Sequence, residues 1–196
     1  IKKGDQYYYQ DNKFKIKLNA KNVYSEGMFE NICLAIKVAL DLKIDKKTIQ
    51  KSLPSLSFEG RFQYLNKGKI KNKLYKNETI MIDGAHATTD AQNLASYLKN
   101  IKIPKYGIWA MTKNKEPDLF IKRLKGVFKK IVTMPIENEL NSVSAHDLYK
   151  IAIKNKFESE KSKDFAEALK KISSKERKLI VCFGSLYNCG NILNKN

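Results

Sequence analysis

The chain has 196 residues, of which 42% are hydrophobic, which is enough to bury a core and argues against disorder. No apolar run reaches the roughly 20 residues of a membrane-spanning helix, because the best candidate, NICLAIKVAL, is interrupted by Lys37. The formal net charge of +18 suggests an anionic partner, but only three basic residues are arginines and the lysines are scattered along every predicted helix.

The charge pattern bears on the binding partners of the protein, and the cysteines bear on metal binding and on its redox environment. We expect no nucleic-acid partner and no membrane attachment. The chain opens at Ile1 on a charged stretch without an apolar signal region, so we interpret it as a fragment or processed product. Its three cysteines, Cys33, Cys182 and Cys189, lack metal-ligand spacing, which predicts reduced packing thiols, no metal site and a cytoplasmic protein.

The amino-terminal part of the chain predicts a hairpin followed by two helices. Residues 1–20 alternate polar and apolar positions on both sides of a turn at Asp11. From Met28 to Leu42 the apolar residues recur at helical spacing. Asp45 is typical of the N-cap of a second, short helix, which Pro54 ends.

The segment LPSLSFEG has the composition of a connector, with one proline, one glycine and two serines. We therefore predict a domain boundary there, with one domain at residues 1–57 and a second at residues 58–196. Beyond the connector, FQYL and KIKNKLY predict two short strands, and TIMIDG predicts a strongly apolar strand at residues 79–84.

After this strand the predicted elements alternate between helices and strands. Such alternation requires parallel strands joined by right-handed crossovers, which defines an α/β fold with a doubly wound, mostly parallel sheet. The predicted order is a helix at Thr89–Lys99, strand YGIWAM, helix PDLFIKRLKG, strand KKIVTM, helices beginning near Ser144 and Asp164, strand KLIVCF and a final helix.

In such sheets ligands bind beyond the carboxyl ends of the strands, and IMIDGAHATTDAQNL fits that position. The pattern predicts that Asp83 is displayed at the strand end rather than buried, and that Thr88 or Thr89 caps the next helix. A displayed carboxylate could accept hydrogen bonds from ribose hydroxyls. The alternative is an aspartate that only caps a turn, and His86 alone is more often a structural residue than a catalyst.

The segment LIVCFGSLYNCG is a second candidate, because an apolar strand ends there at Gly184 and Ser185 and leads into the last helix. Ser185 could hold a substrate carboxylate. The alternative is a plain helix N-cap. A nucleophilic serine is disfavoured, since FGSLY is not the GxSxG elbow of hydrolases.

Arg61, in EGRFQ, is the only arginine among the first 122 residues of a chain that otherwise uses lysine. A guanidinium binds phosphate oxygens through two parallel hydrogen bonds and keeps its charge, which lysine cannot reproduce. The sequence therefore leaves two interpretations of Arg61 open, a phosphate contact and a surface ion pair.

Four segments, taken in order, resemble motifs of the folylpolyglutamate synthase and dihydrofolate synthase family within the Mur ligases. FENICLAIKVAL is similar to a helix with an asparagine signature, and SFEGRFQ to the family's PGRFQ connector. IMIDGAHATTDAQNL is similar to the DGAHNP strand and helix, and CFGSLYNCG to the terminal glycine-serine turn. Together they cover residues from about 28 to 193.

The resemblance implies a Rossmann-like Mur ligase C-terminal domain at residues 58–196, preceded by a remnant of the central ATP-binding domain. It further implies roles for individual residues. The implied nucleotide contacts are Asn31 at the adenine, Arg61 at the phosphates and Asp83 at the ribose, with His86 beside the nucleotide as the catalytic residue. The implied contacts to the incoming glutamate's carboxylates are Ser185, Thr88 and Thr89.

The implied reaction uses ATP and Mg²⁺ to convert a folate carboxylate into an acyl phosphate, which the amine of glutamate then attacks. Phosphoryl transfer of this kind depends on positioned cations more than on a nucleophilic side chain. The family's P-loop, GxxxxGK[ST], and its magnesium ligands are expected upstream of these residues, so we predict negligible ligase activity for residues 1–196 alone. We expect a monomer.

Two departures leave alternatives open. Ala87 and Thr88 stand where the family has Asn-Pro, and the stretch between Arg61 and Asp83 is longer and richer in lysine than is typical. One alternative is a Mur-type ligase that acts on a cell-wall precursor. Another is a non-catalytic basic module that binds nucleic acid.

Overall fold

The computed structural model describes residues 2–3, 6–20 and 23–196, with side chains from residue 6 onward. The chain forms two compact units, Ile1–Phe58 and Glu59–Asn196. The division between them falls inside the segment with connector composition. Within the described ranges, no helix has both the length and the hydropathy needed to cross a membrane.

The first unit begins with a small antiparallel sheet of β1 (Lys2–Lys3), β2 (Gln6–Gln10) and β3 (Lys15–Lys17). The predicted hairpin is confirmed for β2 and β3, which pair Tyr9 with Ile16 across the turn. Asp11 closes this turn by accepting hydrogen bonds from the N–H groups of residues 13 and 14. Residues 1, 4 and 5 of the predicted segment lie outside the described residues.

Two helices and a short turn complete the first unit: α1 (Glu26–Asp41), α2 (Lys46–Ser52) and a 3₁₀ turn (Leu53–Ser55). The predicted long helix is confirmed, and it begins two residues earlier than Met28 because Ser25 caps it. Asp45 caps α2 as predicted, through a hydrogen bond from the N–H of Thr48. The proline of the connector lies in the 3₁₀ turn that follows α2.

The second unit is a six-stranded sheet with six helices. Its strand order is 4-5-9-6-7-8, and every neighbouring pair is parallel except the first, which is antiparallel. The predicted mostly parallel α/β sheet is therefore confirmed. The elements in chain order are β4 (Gln63–Tyr64), α3 (Lys69–Lys73), β5 (Glu78–Asp83), α4 (Thr88–Lys99), β6 (Lys105–Trp109), α5 (Pro117–Lys122), β7 (Lys130–Thr133), α6 (Ala145–Lys154), β8 (Ser159–Lys161), α7 (Phe165–Ile172), β9 (Lys178–Phe183) and α8 (Leu186–Lys195).

Two of the local predictions were wrong. KIKNKLY was predicted as a strand, but its first five residues form helix α3, which buries Ile70, and Leu74 follows in an extended conformation and packs against the core. The sequence also missed the edge strand β8, whose residues SEK are mostly exposed and give no apolar pattern. Neither error changes the central strands.

The core explains why the central strands were predictable. All six residues of β9 are buried, as are five of the six in β5, so neither face of these two strands is exposed to solvent. Cys182 and Cys189 belong to the hydrophobic core cluster, and burial raises the pKa of both thiols. The prediction of packing thiols is confirmed for this pair, and Cys33 is also a free thiol.

Candidate functional site

The carboxyl ends of the four parallel strands β5, β9, β6 and β7 meet at one edge of the sheet, and the loops that leave them enclose a cavity. Its volume is about 310 Å³. Two residues singled out in the sequence, His86 and Ser185, lie in its wall although they are 99 positions apart in the chain. Lys115, Glu139 and Gly184 also line the cavity.

Asp83 lies at the end of β5, beneath this edge, and it is buried. Its side chain is only 1% exposed, so the expectation that it is displayed at the strand end was wrong. The two carboxylate oxygens accept hydrogen bonds of 2.8 Å from the backbone N–H groups of Phe62 and Ala85. The carboxylate therefore joins the connector turn to the end of β5 through hydrogen bonds. This is the turn-capping role that the sequence left open as an alternative.

Burial raises the pKa of Asp83 to about 6, since desolvation disfavours the charged form. The two backbone N–H donors and the nearby Arg61 guanidinium act in the opposite direction on this pKa and only partly offset the desolvation. Ionised Asp83 therefore lowers the stability of the folded chain through desolvation, while its hydrogen bonds hold the turn at Phe62 in place.

The turn that Asp83 holds carries Arg61. Gly60 and Phe62, on each side of Arg61, both have positive φ angles, of 68° and 46°. A second tie comes from the N–H of Gly84, which donates to the carbonyl oxygen of Gly60 at 2.6 Å. The sharp turn between two fixed ends sets the direction of the Arg61 side chain, which is 31% exposed.

Asp90 is a site residue that the sequence reasoning missed. Its Oδ2 accepts hydrogen bonds of 3.2 Å from the N–H groups of His86 and Ala87, and it lies 3.9 Å from Nη1 of Arg61. A distance of 3.9 Å is too long for a hydrogen bond, so the contact of Arg61 with Asp90 is an ion pair, the alternative that the sequence left open for Arg61. The signal available in the sequence was an acidic residue in the first turn of a helix.

The predicted caps of α4 were wrong. The helix begins at Thr88, and its N-cap is Ala87, which has no side-chain acceptor. Asp90, the third residue of the helix, instead accepts hydrogen bonds from the N–H groups of His86 and Ala87, which precede it. Neither Thr88 nor Thr89 lies in the cavity wall.

The ring of His86 has a defined orientation. Its Nδ1 lies 2.8 Å from the carbonyl oxygen of Gly84, and since a carbonyl oxygen can only accept, Nδ1 carries the proton. In the neutral ring Nε2 is then an acceptor. Because the side chain is 29% exposed and lines the cavity, Nε2 can take a hydrogen bond or a proton from a bound molecule.

Ser185 caps α8, as the sequence alternative proposed, and it also lines the cavity. Its hydroxyl oxygen accepts a long hydrogen bond of 3.4 Å from the N–H of Asn188. The preceding Gly184 has φ of +108°, and a β-carbon there would collide with the carbonyl oxygen of Ala110. Only glycine therefore permits the chain to turn here and direct the start of α8 toward the cavity.

Asn31 belongs to the first unit, on the exposed part of α1. There it lines an apolar groove of about 400 Å³ between α1 and α2. Apolar walls with one amide at the edge suit a flat heteroaromatic ring. The predicted contact of Asn31 with adenine stays a prediction.

A mostly parallel α/β sheet with a cavity at its carboxyl edge is the arrangement of the Rossmann-like class of domains. Residues 66–195 match the family model of the dihydrofolate synthetase C-terminal domain, and the chain belongs to this family. The resemblance identified from the four sequence segments is thereby confirmed.

Solved structures give the same fold. The chain is similar to Mycobacterium tuberculosis folylpolyglutamate synthase complexed with ADP and AMPPCP, with a TM-score of 0.75 and 15% identity, covering 96% of this chain and 46% of that one. For E. coli FolC in complex with DHPP and ADP the values are 0.74, 17%, 94% and 42%. For the bifunctional folylpolyglutamate synthase/dihydrofolate synthase with Mn, AMPPNP and L-glutamate bound, they are 0.73, 16%, 95% and 43%.

The chain thus spans less than half the length of these three proteins. At such low identity the likeness shows the fold alone. No curated protein sequence matches the chain.

Proposed function

We propose that the chain is the carboxy-terminal part of an ATP-dependent ligase that adds glutamate to a folate or dihydrofolate precursor through an acyl phosphate. The observation that carries the proposal is the convergence of His86 and Ser185 on one cavity, with Arg61 linked to His86 through Asp90. A guanidinium, an imidazole and a helix start therefore lie along one edge of the sheet. A monomer and a cytoplasmic location are further predictions of this proposal.

Arg61 is the proposed phosphate contact. Among the described residues its guanidinium makes only the 3.9 Å ion pair with Asp90 and no side-chain hydrogen bond, and its backbone is held at both ends of the turn. A fixed guanidinium can stabilise the charge that develops on a transferred phosphoryl group. In this proposal Asp83 acts by positioning the turn, and its predicted contact with ribose has less support, since the carboxylate is buried and bonded on both oxygens.

The cavity is the proposed position of the incoming glutamate. The hydroxyl of Ser185 and the first N–H groups of α8 suit a carboxylate, and Lys115 supplies a positive charge in the same wall. His86 is the proposed catalytic residue, because its Nε2 can accept a proton from the attacking amine. Thr88 and Thr89 have less support as carboxylate contacts, since they lie outside the wall.

Mg²⁺ is expected from the reaction class, with its ligands expected upstream of this chain. Within the described ranges, no group of three or more His, Cys, Asp or Glu side chains could hold a metal ion. No step of the proposal therefore uses a metal bound by these residues. ATP, folate and glutamate are the proposed small-molecule ligands.

The test uses the two histidines of the chain. His86→Ala is expected to reduce glutamate-dependent release of ADP by the full gene product about 100-fold, because it removes the proton acceptor. His146→Ala is the matched control, since His146 is exposed in the first turn of α6 and outside the cavity. Equal activity of the two variants would contradict the proposed role of the cavity.

A further inference from the structure

Two opposite charges line the same cavity without pairing. Lys115 and Glu139 both belong to its wall, yet within the described residues neither side chain forms an ion pair. A cavity with one free cation and one free anion is complementary to a zwitterion.

Glu139 is held in place by the loop between β7 and α6. One carboxylate oxygen accepts a 2.8 Å hydrogen bond from the N–H of Asn141, and the backbone carbonyl of Glu139 accepts one of 3.0 Å from the N–H of Ser142. This loop is hydrogen-bonded to the loop that follows β6, since the N–H of Lys113 donates to the carbonyl oxygen of Asn141 at 2.7 Å. The charge is therefore fixed at the wall before any ligand arrives, which reduces the entropic cost of binding.

We infer that Glu139 is the specificity residue that recognises the ammonium group of the amino-acid substrate. Lys115 and the start of α8 attract carboxylates, which any dicarboxylic acid possesses, so they cannot distinguish an amino acid from its deaminated analogue. The carboxylate of Glu139 supplies that distinction and orients the amine nitrogen. This inference rests on the proposed function, because it assigns a part of the same cavity.

The competing explanation is that Glu139 only closes its own turn through Asn141. Glu139→Gln separates the two, since the amide oxygen can still accept the hydrogen bond from Asn141 while the charge is lost. Glu137→Gln is the matched control, because Glu137 is an exposed carboxylate of the same loop that pairs with Lys195.

The experiment measures the affinity of the full gene product for L-glutamate and for glutarate, which lacks the amine, by NMR titration. The wild type and Glu137→Gln are expected to bind L-glutamate about tenfold more tightly than glutarate. In Glu139→Gln this ratio is expected to fall to about one, with L-glutamate affinity reduced and glutarate affinity unchanged or increased. Glu139→Asp keeps the charge on a shorter side chain and is expected to retain part of the preference.

The outcomes distinguish the inference from the function on which it rests. If the wild type prefers L-glutamate and Glu139→Gln keeps that preference, Glu139 is not the ammonium contact while the proposed function stands. If the wild type binds neither compound, or binds both equally, the zwitterion site is refuted, and in the first case the glutamate role of the cavity is refuted with it.

Discussion

Asp83→Asn separates the cost of burying a charge from the benefit of its hydrogen bonds. The ionised carboxylate accepts from the N–H groups of Phe62 and Ala85, while burial raises its pKa to about 6. Asparagine has the same shape and cannot titrate. Like the protonated acid, it has a carbonyl oxygen that accepts and, in place of the second carboxylate oxygen, a group that donates, so it imitates the form of Asp83 present at low pH.

The sign of the pH effect follows from the raised pKa. Between pH 4 and pH 6 the folded chain binds more protons at Asp83 than the unfolded chain, so the free energy of unfolding falls as the pH rises through this window. A pKa of about 6 in place of 3.8 corresponds to a loss of up to about 3 kcal/mol, complete near pH 7. The variant does not lose this stability.

Urea denaturation of the wild type and of Asp83→Asn from pH 4 to pH 7.5 measures the difference in their free energies of unfolding. The titration of all other carboxylates cancels in this difference. The variant is expected to match the wild type at pH 4 and to exceed its stability by up to about 3 kcal/mol at pH 7. Nucleotide affinity is expected to fall in the same variant, because one N–H at the Arg61 turn loses its acceptor. A variant that is less stable than the wild type at pH 7 would refute the reasoning, since the hydrogen bonds would then outweigh desolvation.

Two further substitutions test the geometry of the edge. Gly184→Ala is expected to destabilise the fold by at least about 2 kcal/mol in thermal denaturation. The reason is that φ of Gly184 is +108° and a β-carbon there would lie 2.8 Å from the side chain of Trp109. Gly190→Ala is the control and should be neutral or stabilising, because a β-carbon at Gly190 would have no neighbour within 4 Å. Arg61→Lys is expected to weaken ADP binding to the full gene product about tenfold in calorimetry, because lysine cannot bind a phosphate through two parallel hydrogen bonds. Arg177→Lys, at an exposed position, is the control. Equal ADP affinity of the two variants would argue against a bidentate phosphate contact.

The sequence was most informative where local pattern and tertiary role agree. Strands β5 and β9 are buried on both faces, so their continuous apolar runs predicted them directly. The pattern failed at β8, where an edge strand needs no apolar face, and at α3, where a short run of alternating residues fits both a strand and a helix.

The chemistry of the site was only partly predictable for a related reason. Asp83 and His86 were identified because a strand followed by a tight turn is a local signal. The burial of Asp83 depends on Phe62, 21 residues earlier, whose N–H reaches it only after β4 and β5 pair. Glu139 gave no motif at all, since it enters the cavity through a long loop whose path is set by backbone contacts with the end of β6.

The most direct test of the proposed ligase function is an assay of ADP release by the full gene product with ATP, L-glutamate and a reduced folate or dihydropteroate. Release is predicted to require both L-glutamate and the pteridine substrate, and to be absent with a muropeptide precursor in their place. ADP release that depends on the muropeptide, or that is independent of L-glutamate, would contradict the assignment.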